Sequence, residues 1–504
     1  MRAMTFDLSV PTQLLQAVTP DLFLMGGAMV LMLLAAWRED SDAHQRLVGF
    51  GSLGVLVVTL ALVLWFAANG ATAGPGVIAV DRYRWVADVI FLLAALGTVA
   101  LAIEYNGRES IRIAESHVLV LFATSGMMIL AAARDLMIVF LGIELMSIAV
   151  YVLAGLNRRS VRAAEGALKY FLLGAFATGF LLYGIALVYG DTGSTSLPEI
   201  GVRITRYVLF DQKMLLVGVG LLLVGFAFKV AVVPFHMWAP DVYEGAPTPT
   251  TAFMAAGVKA AAFATFLRVW IEAFGDLGAA WFMPIWWIAA VTMVVANVVA
   301  LSQRNVKRLL AYSSVVHSGY LLVAVAAGTR FGASAFLFYL FAYTLATFGA
   351  FAVVSAVGEA GERKQAITDY EGLWSVRPGL AIGMAVCLLA MMGFPVFGGI
   401  GFFAKWYVLQ AALTSPNDLV PLAVLLVLTS VVSAGYYLHV VRVMFMKPRP
   451  EGAIAPAPMG PLTRLVLATT VAAILALGLM PGRLATWTRN AQPGGAPAPG
   501  AESK

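Results

Sequence analysis

Fourteen stretches of roughly 20 mostly apolar residues recur along this 504-residue chain, each long enough to cross a hydrocarbon core. No water inside such a core can satisfy backbone N–H and C=O groups. Spanning segments must therefore be helices, which close their hydrogen bonds internally. The composition agrees, with 61% hydrophobic residues and only 12% charged. The predicted class is an all-α polytopic membrane protein, with spans near 20–37, 47–67, 85–104, 117–133, 135–156, 162–189, 213–238, 249–273, 281–301, 307–327, 333–357, 378–412, 419–446 and 462–480. Residues 190–212 read as the longest internal polar loop, and the end of the chain, from about 484 to 504, as a low-complexity disordered tail.

An even number of spans puts both termini on one side. Of the 33 Lys and Arg, 17 fall in loops on the opposite side, 11 on the terminal side and 5 inside spans. The richer side is predicted to be cytoplasmic, with Arg158, Arg159, Arg162, Arg304, Lys307, Arg308, Arg442, Lys447 and Arg449 as its main charges, so both termini are expected in the periplasm. The net charge of +6 is loop charge of this kind and gives no reason to expect nucleic acid. The N-terminus, with Arg2, Asp7, Pro11 and Pro20 ahead of sustained hydrophobicity, reads as a retained first helix rather than a cleavable signal. One cysteine, Cys387, excludes a disulfide framework and leaves this chain unable to ligate an iron–sulfur cluster alone. Neither a dinucleotide-binding nor a phosphate-binding glycine motif occurs.

Two long spans carry internal prolines, VVPFHMW around Pro234 and MMGFPVFGGIGFFAKW around Pro395. Proline lacks an N–H and clashes with the carbonyl four residues back, so each breaks its helix inside the membrane. The span before each also aligns weakly, KYFLLGAFAT against FYLFAYTLAT. These features predict two five-helix repeats, 117–273 and 281–446, flanked by helices 1–3 within residues 1–116 and a last helix at 462–480. An odd number of helices per repeat inverts the second relative to the first, as in many transporters built around broken helices.

Charges inside the spans single out the chemistry. Lys229 lies in the apolar run MLLVGVGLLLVGFAFKVAVVPFHMW, five residues before Pro234, and a cation there is a functional-site candidate because burying it is expensive. Lys169, Lys259 and Lys405 share that predicament, and Lys405, like Lys229, accompanies a helix break. Arg268, near a helix end and one turn from Glu272, reads as structural, as does His439. Glu144 is the clearest acid in mid-span and must be protonated or paired. At about 6 Å and an effective dielectric near 20, a carboxylate and an ammonium attract by about 3 kcal/mol, enough to decide whether the lysine keeps its proton. A conformational change that alters their separation could then load or release a proton. His236 and His317, each able to donate and accept at once, suit a water-assisted relay between the lysines. No metal site is expected, since these groups show no ligand spacing, and Ser313, Ser314 and His317 on one helix face read as packing rather than a nucleophile and its base. The stretch GVGLLLVG, inside an apolar span, reads as a helix-packing surface.

The run KVAVVPFHMWAPDVYEGAPTPTTAFMAAGVKAAAF (229–263) strongly resembles the antiporter-like membrane subunits of respiratory complex I, a family shared with multisubunit cation/proton antiporters. DVYEGAPTP, NVKRLLAYSSVVHSGYLLVA and ITDYEGLWSVRP narrow the likeness to one subunit type of bacterial NADH:quinone oxidoreductase. The resemblance implies two inverted five-helix repeats with broken helices 7 and 12. It implies that Glu144 is the acid partner of Lys229, that Lys259 is the central lysine and Lys405 the terminal one, and that Lys169, His236 and His317 occupy polar positions of the path. Some sister subunits have an acid where Lys405 stands. The implied activity is proton translocation driven by electron transfer from NADH to quinone in other subunits, in the bacterial inner membrane. FMN, iron–sulfur clusters and quinone would belong to those partners and none to this chain. Neighbouring antiporter-like and small membrane subunits would be its contacts. The alternative is a subunit of a cation/proton antiporter, while a passive spacer is disfavoured by the number of costly buried charges.

Overall fold

The computed structural model describes residues 4–37, 41–74, 76–206, 212–489 and 491–493. Among them, fourteen helical spans cross the molecule: α1 (Thr19–Trp37), α2 (Asp42–Ala68), α3 (Arg82–Glu109), α4 (Glu115–Ala132), α5 (Leu136–Ala154), α6 (Val161–Thr192), α7 (Gln212–Lys229, then Trp238–Gly245), α8 (Thr248–Glu272), α9 (Ala280–Leu301), α10 (Val306–Ala326), α11 (Arg330–Val357), α12 (Pro378–Met392, then Ile400–Leu413), α13 (Val420–Met446) and α14 (Pro461–Leu479). The sequence marks several starts directly. The side chains of Asp135, Ser160, Asn305 and Thr329 accept hydrogen bonds from backbone N–H groups in the first turn of α5, α6, α10 and α11, which would otherwise lack partners.

Helices α4–α8 and α9–α13 form two sets of five, and the fourth member of each, α7 or α12, is the broken one. Five crossings separate the start of α4 from the start of α9, so the second set runs inverted. The most buried helices are α8, α10, α11 and α3, whereas α14, α1, α2 and α13 present most of their apolar surface outward, as helices facing lipid or a partner must. Gly184 on α6 and Gly218 on α7 meet backbone to backbone: a Cβ at Gly184 would lie 2.8 Å from the Gly218 carbonyl oxygen. The GVGLLLVG stretch is thus the packing surface its small residues suggested.

Two expectations are corrected. Residues 190–212 are not simply a loop: α6 runs on to Thr192, and Leu197–Arg206 form a helix whose buried Leu197 and Ile200 sit opposite charged residues, an amphipathic pattern masked by its overall polarity. The tail begins later than residue 484, because Pro481–Arg489 are helical with Leu484 and Thr488 buried. The tail sequence 494–504 lies outside the described residues.

Arg268, expected to be structural, is more heavily engaged than its one-turn pairing with Glu272 suggested. Its guanidinium holds both oxygens of Asp81 at 2.8 and 2.9 Å, Glu272 at 2.7 Å and the Ala131 carbonyl at 2.9 Å, while Arg134 binds the other Glu272 oxygen at 3.0 Å. Nearby, Arg84 pairs with Asp21 and Asp88, all buried. This network ties α1 and α3 to the first five-helix set at the terminal end of the molecule.

Candidate functional site

The break in α7 brings Lys229 into the interior as the last residue of the first half-helix. Backbone groups freed at Pro234 find protein partners: Val233 N–H donates to Thr292 Oγ1 at 3.0 Å, Ser318 Oγ donates to the Val230 carbonyl at 2.8 Å, and Trp238 Nε1 donates to the Phe228 carbonyl at 3.1 Å. The Lys229 ammonium donates to Ser147 Oγ at 2.8 Å and Tyr151 Oη at 3.3 Å. It forms no ion pair with Glu144, which is half-buried on α5, three residues before Ser147, and within electrostatic reach of both Lys229 and Tyr151. The expected pair is therefore not a direct contact: two hydroxyls hold the ammonium, and the acid acts on it from beyond ion-pair distance.

Lys259 is buried in α8 immediately after a π-helical turn, Met254–Val258, and donates to the Ser314 carbonyl at 2.9 Å and to Ser314 Oγ. A π turn changes the direction in which the following side chains leave the helix, a feature frequent at functional sites. Ser318 Oγ also reaches the Ser314 carbonyl, at 3.1 Å, so Ser314 and Ser318 bridge the backbone beside Lys229 to Lys259. One turn along α10 from Ser314, His317 is held between Tyr339 Oη at 2.6 Å and Tyr437 Oη at 3.1 Å, and Tyr437 also bonds Ser313. The Ser313, Ser314 and His317 face, read from sequence as packing, is a hydrogen-bonded seam.

A small, mostly apolar space of about 10 Å³ is lined by both His317 and Lys405. The Lys405 ammonium then satisfies the Met392 carbonyl left free by the second break at 2.9 Å, donates to Ser430 Oγ at 3.0 Å, and sits 4.7 Å from the centre of the Tyr320 ring. Pro395 is exposed within this break, as Pro234 is within the first. Lys229, Lys259, His317 and Lys405 thus form one buried row through both repeats.

Two of the other residues singled out lie off this row. Lys169 is 43% exposed and clamped by Glu165 at 2.7 Å and Asp241 at 2.8 Å, because the second half of α7 delivers Asp241 to its ammonium. Its place is in a surface ion-pair chain that continues from Asp241 to Arg308 and Glu244, rather than between Lys229 and Lys259. His236, expected in a water-assisted relay between Lys229 and Lys259, is half-buried with its ring centre 6.4 Å from that of Tyr312 and bonds to neither lysine directly, whereas Ser314 and Ser318 link the backbone beside Lys229 to Lys259. His236 Nδ1 is buried with no protein partner.

Sequence reasoning missed Glu362. It lies in a polar loop without periodicity or motif, yet its carboxylate accepts from Tyr105, from Lys307 at 3.1 Å, from Thr248 N–H at 3.1 Å and from Gln365 at 2.7 Å. It joins α3, α8, α10 and the loop in one knot. Burial acts to raise its carboxyl, but Lys307 and these donors outweigh it and hold the group below the ordinary value of 4.5. A depressed carboxylate stabilises the folded state fully above its unfolded value and loses that contribution as the pH falls through the folded one. Acidifying detergent-solubilised protein below about pH 4.5 is therefore expected to lower its melting temperature. Glu362→Gln should melt lower at pH 7 and show a flatter acid limb; identical curves would remove Glu362 from this role.

The family model described as NADH:quinone oxidoreductase/Mrp antiporter, TM, matches residues 133–433. NADH-quinone oxidoreductase subunit N of Gemmatimonas aurantiaca is 51% identical over 95% of this chain and 93% of its own length. The chain belongs to the NADH:quinone oxidoreductase/Mrp antiporter family. Subunit N of Trichlorobacter lovleyi, 44% identical over 87% of this chain and 88% of its own, extends the same match within that family. Among solved family structures, a chain of respiratory complex I from Thermus thermophilus superposes with a TM-score of 0.79 at 36% identity, covering 93% of this chain and 98% of that one. A chain of the Mrp complex from Dietzia sp. gives 0.83 at 21% identity over 94% and 97%, a likeness of fold. The matched residues 133–433 contain Glu144, Lys229, Lys259, His317 and Lys405.

Proposed function

We propose that this chain is a non-redox, proton-translocating membrane-arm subunit of NADH:quinone oxidoreductase, of the N type. The observation that carries the reading is the row of four buried protonatable groups, with Lys229 and Lys405 on the two broken helices, Lys259 and His317 on helices of either repeat, and serine or tyrosine hydroxyls bonded to each. Each buried ammonium is costly alone, so a proton favours whichever lysine has the best local compensation. Glu144 supplies a movable charge at one end. When it and Lys229 approach, the positive charge is favoured there; when they separate or the acid is neutralised, the next group inward becomes the better host. Serine and tyrosine hydroxyls, which donate and accept, pass hydrogen bonds between the fixed charges.

Electron transfer from NADH to quinone occurs in partner subunits, which hold the FMN, iron–sulfur clusters and quinone; this chain responds to their conformational or electrostatic push. It resides in the bacterial inner membrane beside other antiporter-like and small subunits. Both termini lie in the periplasm, consistent with the 17-to-11 loop charge bias. Relatives named subunit N, at 40 to 51% identity, favour this assignment over a subunit of a cation/proton antiporter. Glu144→Gln and Lys229→Met, each close to isosteric, should leave the complex assembled while lowering both proton pumping and coupled NADH oxidation in membrane vesicles. Assembled complexes with both activities at the wild-type level would end this reading of the pair.

A further inference from the structure

On α5, Glu144, Ser147 and Tyr151 follow one another at helical spacing, and the two hydroxyls rather than the acid hold Lys229. Ser147 Oγ gives its own proton to the Ile143 carbonyl, leaving its lone pairs toward the ammonium. Tyr151 is placed by its surroundings. A Cβ at Gly174 of α6 would lie 2.0 Å from Tyr151 Oη, so the hydroxyl occupies space that only a glycine leaves there. The Tyr151 ring packs edge-on to Tyr170 at 4.7 Å, Tyr170 stacks on Trp238 at 4.4 Å, and Trp238 Nε1 binds the Phe228 carbonyl one residue before Lys229. Trp238 opens the second half of α7, the half that Lys169 and Arg308 grip through Asp241. A shift of that half-helix would reach the ammonium through three packed aromatic rings.

We propose that Tyr151, with Ser147, is a positioning pair that holds the Lys229 ammonium away from Glu144 and yields it to the acid when the second half of α7 moves. This rests on the relay reading of Lys229 and adds to it a specific step, the exchange of two hydrogen bonds to neutral hydroxyls for one charged partner. A hydrogen bond to an ion is stronger than one between neutral groups, so losing the phenol should tip the ammonium toward the carboxylate. The lysine would then stay with Glu144 for longer in each cycle.

The test uses the assembled complex. Tyr151→Phe keeps the ring packing and removes one oxygen. It should assemble, slow coupled NADH oxidation and pumping by roughly threefold to tenfold, and place Lys229 Nζ within about 4 Å of Glu144 in the structure of the variant complex. Ser147→Ala should shift the ammonium the same way, and it decides the matter if Tyr151→Phe fails to assemble. Adding Tyr151→Phe to Glu144→Gln should cost nothing beyond Glu144→Gln alone, since there is no longer a carboxylate to hold the lysine. Wild-type rates, an unmoved ammonium, or losses that multiply in the double variant would overturn the proposal. Lys229→Met with normal pumping would instead overturn the relay reading beneath it.

Discussion

Lys259→Met is expected to cut the proton flux through this chain by roughly two orders of magnitude or more, while the chain still folds and assembles. Methionine has nearly the shape of lysine but carries no proton, and Lys259 is the central host in the row, buried and bonded to Ser314. The variant leaves little behind that is unsatisfied: the Ser314 carbonyl keeps its hydrogen bond from Ser318. Replacing a buried charge with an apolar side chain of similar volume is often neutral or stabilising. Function and stability should therefore part company. The amount of assembled complex in membranes measures one and proton pumping the other; loss of assembly with pumping intact per complex would mark Lys259 as structural.

Arg268→Met should do the reverse. Asp81 would lose both bonds of its bidentate partner inside the protein, and Glu272 would retain only Arg134. Breaking a buried pair by removing one partner typically costs about 3–5 kcal/mol, because the abandoned charge stays buried. The expected result is a marked fall in folded chain and in melting temperature, with pumping per assembled complex unchanged. Arg268→Lys should rescue only in part, since an ammonium cannot reproduce the two-pronged contact with Asp81. A variant that melts like the wild type would remove the network from the account of stability.

The contrast between these two cations shows how much the sequence discloses. Both are charges in apolar helices, and distance from a helix end already separated them: Arg268 lies one turn from Glu272, whereas Lys259 has no nearby acid on its own helix. Span number, the two breaks and the lysines beside them were legible because proline chemistry and the cost of buried charge are local. Partners supplied by distant helices were not. Glu165, one turn from Lys169, was in plain view, but Asp241, which α7 brings to the same ammonium from 72 residues away, was not. Ser314 read as packing, and Ser318 drew no reading at all, because a small hydroxyl on a buried helix has no signature of its own. The π turn before Lys259 also left no mark, since the run MAAGV suits an ordinary helix. Glu362 was invisible for a different reason: a loop acid reads as solvated unless the fold folds it under, against Lys307 and the start of α8.

The relay through the four buried groups is tested most directly by the number of protons moved per NADH oxidised, measured in inside-out vesicles for the Lys259→Met complex beside the wild type. If protons pass through this chain, either that ratio falls or coupled turnover collapses with it, in complexes that are fully assembled. Normal turnover with an unchanged ratio would contradict a proton path through Lys259, and with it the role of the row from Lys229 to Lys405.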